Sequence, residues 1–144
     1  MRRFEFRLAR VRDFRRQQLE LEEAKLERIN AERQELETET SRLDNETAQT
    51  RGSLMVTTAA EARELVAADL YLRHLAATRK RHEERIAAWQ ARVRRQQAAV
   101  IEARRRVRLM EKLEEHQFRD WTTETEREQE NLSSELFLAR WKQP

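Results

Sequence analysis

A stripe of seam positions with steps of three and four residues runs along the first part of this chain. It comprises Phe4, Leu8, Val11, Arg15, Leu19, Glu22, Leu26, Ile29, Arg33, Leu36, Thr40, Leu43, Thr47, Thr50 and Leu54. Alternating steps hold a seam at 3.5 residues per turn, the period of a left-handed coiled coil. Two consecutive steps of four between Val11 and Leu19 form a stutter, which locally relaxes the supercoil. Several seam positions are polar, so the coil is expected to be moderately stable and tolerant of rearrangement. A second stripe runs through Leu72, Leu75, Arg79, His82, Ile86, Trp89, Val93, Gln96, Val100, Ala103, Val107 and Met110. It continues less regularly through Leu113, Phe118, Trp121, Leu132, Leu136 and Ala139.

Two stripes need a turn between them, and the chain offers few places for one. It has a single Gly, Gly52, and a single Pro, Pro144, in 144 residues. Gly and Pro are the main punctuation of loops. A first helix is therefore expected over 3–51, roughly 70 Å at 1.5 Å per residue. Gly52 would end it by taking a left-handed conformation, with a turn over 52–57. Thr58 to Glu61 reads as a capping box opening a short tip helix over about 58–75. That segment is richer in apolar residues than a narrow seam requires. A long helix then runs to about residue 142. The expected fold is all-α: one hairpin over 1–144, two long antiparallel helices with a short helical segment near the tip.

Charge blocks say how the halves pair. Residues 1–16 carry seven Arg against two acids, and 20–46 carry ten acids against four bases. Residues 79–108 carry 11 bases against three acids, and 111–135 nine acids against three bases. An antiparallel fold with paired positions summing to about 130 sets acidic blocks against basic ones. Flanking opposite charges set orientation in coiled coils. This register brings Leu36 near Val93, Ile29 near Val100 and Leu19 near Met110, and leaves residues past 130 overhanging. A parallel dimer would lay like charges together, so a monomeric hairpin is expected.

The same composition removes most chemistry. No Cys is present, which excludes disulfides, thiolate nucleophiles and Cys-based metal sites. One Gly cannot build a phosphate-binding loop. His74 and His82 lie eight residues apart, without the His-Glu-x-x-His pattern of helical zinc enzymes. Ser53, Ser133 and Ser134 lie near no base. No catalytic residue, cofactor or metal is expected. The N-terminus lacks the apolar core of a signal peptide. The longest uncharged run, 52–60, falls short of the ~20 residues that span a bilayer. A soluble, non-exported protein is expected. Net charge is only +3. The runs Arg92 to Arg95 and Arg104 to Arg108 keep nucleic-acid binding open. Against it, the opposing face is acidic and no aromatics interleave for base stacking. The basic N-terminus also fits membrane-surface binding, though its apolar stripe fits the seam equally well.

The opening Arg3-Phe4-Glu5-Phe6-Arg7-Leu8, followed by Val11 and a charged helix, resembles the start of flagellar export FliJ proteins. The series Tyr71, Leu75, His82, Trp89, Val93 and the basic run into Met110-Glu111-Lys112-Leu113 is similar to the same family, as is the charged helix from Glu124 to Glu135. The resemblance covers nearly the whole chain and rests on order and spacing.

It implies a cytoplasmic, non-enzymatic stalk of the flagellar type III export apparatus, similar to the central stalk subunit of rotary ATPases. Such proteins bind the hexameric export ATPase ring through the terminal end of the coiled coil. They also contact the membrane export gate, which places them peripherally at the inner membrane, and they escort export chaperones. The resemblance maps gate binding onto Leu43, Tyr71, Leu75, Thr78 and His82; the family's aromatic positions on the first helix fall on Glu46 and Thr50. Phe4, Leu8 and Val11, with Leu132 and Leu136, are the candidates for ATPase binding. The alternatives are the equivalent stalk of a virulence secretion system, or a structural or nucleic-acid-binding coiled coil.

Overall fold

The computed structural model describes residues 2–56 and 62–143, in two helices, α1 (Ala9–Val56) and α2 (Ala62–Trp141). Together they form an all-α antiparallel hairpin. Neither helix holds an interior Pro, and Leu, Glu, Arg and Ala, all strong helix formers, fill the surface positions. By its contacts the chain divides into two units, Met1–Leu21 with Ile101–Pro144, and Glu22–Val100.

The helix limits differ from the sequence reading at both ends of α1. The chain before Ala9 is not helical: the described residues 2–6 carry no regular structure, and a turn closes through Ala9 N–H on the Phe6 carbonyl at 3.1 Å. Phe4 and Phe6 are two residues apart. A helix would turn them some 200° from each other, whereas in the non-helical segment Phe4 packs on α2 and Phe6 is also buried. At the other end, Gly52 does not stop the helix. It lies inside α1 without a positive φ, so its freedom goes unused. On the far side α2 runs unbroken from Ala62, and residues 62–75 are its first turns rather than a separate tip helix. Thr58 to Glu61, the expected capping box, lie outside the described residues.

In the unit built from 1–21 and 101–144, Phe6, Ala103 and Val107 are buried. Phe4 meets Phe118 edge-on at 5.2 Å and Trp121 at 5.9 Å. The Arg12 guanidinium lies 5.9 Å over the Phe6 ring and pairs with Glu114, and Arg16 pairs with Glu111 at 3.3 Å. Basic start and acidic finish do face each other.

In the unit 22–100, Leu36, Leu43, Leu75 and Val100 are buried, Leu43 at 1% exposure. Polar seam residues cross to the backbone of α1. Trp89 Nε1 donates to the Ile29 carbonyl at 2.6 Å, and Gln96 Nε2 to the Glu22 carbonyl at 2.9 Å. His82 Nε2 sits 3.0 Å from the Leu36 carbonyl and 2.8 Å from Thr40 Oγ1. Arg92 grips Glu32 with two bonds, at 2.8 and 3.0 Å, and Arg79 pairs with Asp44.

These contacts correct the expected register. A register summing to 130 would set Arg92 opposite residue 38 and Arg79 opposite 51, yet their partners are Glu32 and Asp44. The expected Leu36–Val93 layer is replaced by His82 reaching Leu36. The shift is roughly one heptad. A seven-residue slip returns seam to seam, and blocks of like charge longer than a heptad still face opposite charge after it.

Candidate functional surfaces

Two surfaces follow from the resemblance. The terminal one is built by the end of α2 and the start of the chain. Every described residue from 126 to 143 is exposed, Trp141 at 83%. At 100° per residue, Leu132, Leu136 and Ala139 fall on one face of α2, and Phe137, Leu138 and Trp141 on the opposite face. A helix end apolar on two faces and buried on neither is shaped for contact on both sides. Leu8 and Val11 are also exposed. Phe4 is different: it is half-buried in the cluster with Phe118 and Trp121, and fastens the start of the chain to α2.

Several residues of this surface were not among the sequence candidates. Phe14, Phe137, Leu138 and Trp141 are exposed large apolar groups in the same unit. The signal was legible. Phe14 lies three residues after Val11, and Trp141 four after Phe137, so each extends a helical face already apolar.

The five gate candidates divide by burial. Leu43, Leu75 and His82 are seam core. The His82 ring is 4% exposed and its Nδ1 has no hydrogen-bond partner. Thr40 Oγ1 donates to the Leu36 carbonyl at 2.9 Å, so its oxygen is left to accept, and Nε2 carries the ring proton toward both. Tyr71 is exposed and Thr78 half-buried, seven residues apart on one flank of α2. Tyr71 OH donates to Glu46 Oε2 at 3.0 Å, and that bond raises the phenol's pKa above its usual value.

Several ionisable groups serve the hairpin itself. The bond from Gln96 holds the Glu22 carboxyl below the usual range, and the bond from Arg92 does the same for Glu32. Glu102 is brought down to about 2, chiefly by its bond from Arg105. Among the described residues no cluster of three or more His, Asp or Glu could hold a metal ion. Among the described residues, too, no helix is long and apolar enough to cross a membrane.

A two-helix antiparallel hairpin with an apolar seam and cross-helix ion pairs belongs to the class of coiled-coil proteins. Residues 4–143 match the family model of the flagellar FliJ protein. The chain belongs to that family, and with it to the machinery of flagellar protein export. No curated protein and no solved structure matches it.

Proposed function

We propose that this protein is a non-enzymatic stalk and escort of the flagellar type III export apparatus, acting in the cytoplasm. One observation carries the reading: the final turns of α2, residues 126–143, are exposed and apolar on two faces. A helix end of that kind fits a sleeve that touches it from several sides, such as the inside of a hexameric ATPase ring. Leu132 and Leu136, with Phe137, Leu138 and Trp141, supply the inserted surface. Leu8 and Val11 supply its flank, and Phe4 positions the chain start beside it. The hairpin inserts as a monomer.

Gate contact falls to Tyr71 and Thr78, with Leu43, Leu75 and His82 holding the seam beneath them. Through the gate the protein is peripheral at the inner membrane, and delivery of chaperones belongs to the same role. It acts by binding, with no cofactor and no nucleic acid.

The test is stimulation of the export ATPase. The full chain is expected to raise its rate. A chain ending at residue 125, and Leu132→Asp/Leu136→Asp, are expected to lose that effect while keeping their helix content by circular dichroism. Unchanged stimulation by both variants would remove the terminal assignment.

A further inference from the structure

The basic residues of α2 do two kinds of work. Those beside the seam pair with α1: Arg79 with Asp44 and Arg92 with Glu32. Others point away from it. With the seam at Leu75, His82, Ile86 and Trp89, the opposite side of α2 carries Lys80, Arg81, Glu84, Arg94 and Arg95, with Arg94 toward one margin. The four cations are exposed and form no ion pair among the described residues, and Glu84 is the acid that lies between them. Hairpin pairing does not account for them. Between them the outer face is made of Ala87, Ala88 and Ala91. It is flat, with no aromatic ring to stack on a nucleic-acid base.

The same outward face continues toward the start of α2 and there becomes apolar. Val66 and Leu70 are each 61% exposed, and with Ala62, Arg63 and Ala67 they border a shallow hollow. The face therefore presents two apolar side chains at one end, an Arg73–Asp69 ion pair beside them, and four unpaired cations with one acid, Glu84, along the rest. Apolar groups that can enter an acyl boundary, beside cations that meet phosphates, are the two components of interfacial helix binding. An acidic protein or duplex DNA would use the cations but would leave Val66 and Leu70 without a role.

We propose that the outer face of α2 over residues 63–95 binds directly to an anionic phospholipid bilayer, lying on its surface. This goes beyond the gate-mediated association above and does not rest on it, because it needs no gate protein.

The probe is co-sedimentation of the full chain with vesicles of phosphatidylcholine, with and without phosphatidylglycerol. Binding is expected only with phosphatidylglycerol and is expected to weaken as salt rises. Arg81→Glu/Arg94→Glu/Arg95→Glu should lower the bound fraction at least about tenfold, since each basic residue contributes about 1 kcal/mol near such a surface. The Arg→Gln version should lower it less, with helix content unchanged by circular dichroism in both. Val66→Ser/Leu70→Ser should remove the part of the binding that survives high salt. Several results would overturn the proposal: no sedimentation with phosphatidylglycerol, equal binding to pure phosphatidylcholine, or retention by the charge-reversed variant. So would loss of binding on reversing Arg2, Arg3 and Arg7 instead, or preferential capture by duplex DNA at equal phosphate concentration.

Discussion

His82 occupies a seam position where a coiled coil ordinarily places Leu. Its Nε2 is satisfied by α1, but its buried Nδ1 is not. A buried acceptor without a donor costs about 1–3 kcal/mol. His82→Leu removes it and leaves no orphan behind, because Thr40 still donates to the Leu36 carbonyl. The variant is expected to be more stable by about 1 kcal/mol, read as a higher urea midpoint. Leu43 is the opposite case. It is the most buried large side chain in the hairpin, and Leu43→Ala should cost about 2–4 kcal/mol in the same assay. The carboxylates set the response to acid. The Glu32 carboxyl lies below its ordinary 4.5 when folded, because Arg92 bonds its charged form. Its contact therefore adds stability above 4.5 and loses it as pH falls through the folded value. Glu22 behaves alike through Gln96. The urea midpoint is expected to fall as the pH drops below 4.5, and Glu32→Gln should flatten part of that fall.

At the scale of the helix, Gly52 is an opportunity the chain leaves open. It sits within α1 and a Cβ there meets nothing within 4 Å. Gly in a helix is about 0.5–1 kcal/mol worse than Ala, so Gly52→Ala should raise the thermal midpoint measurably. The register also belongs to this scale. Thr40 and His82 touch across the seam, and the chain has no Cys of its own. Thr40→Cys/His82→Cys is expected to cross-link on oxidation and Leu36→Cys/Val93→Cys to fail. The reverse outcome on a reducing and non-reducing gel would restore the register that the charge blocks alone suggest.

At the scale of the molecule, the termini fold differently from what they present. Phe4 holds the chain start against α2, and Phe6 is buried beside it, whereas every described residue from 126 to 143 is exposed. Removing residues 126–144 should therefore change the unfolding midpoint little, since those described side chains are all exposed, while Phe4→Ala should lower it, at a cost of about 2–4 kcal/mol of lost packing. A midpoint that dropped with the truncation would mean that the tail packs on the hairpin.

The two apolar stripes, the shortage of Gly and Pro and the alternation of charge blocks were enough to read a two-helix antiparallel hairpin and its C-terminal overhang. All of these are properties of local period and sign, which survive any slip by a heptad. What only the tertiary structure decided was everything that depends on which heptad meets which. Trp89, Gln96 and His82 look in sequence like imperfections of the stripe, yet each pins α2 to one particular carbonyl of α1. That register sends Leu43, Leu75 and His82 inward and leaves Tyr71 and Thr78 at the surface. It also separates the arginines that bind α1 from those that face outward. The periodic pattern names the residues able to sit in a seam, and specific cross-helix bonds choose their partners.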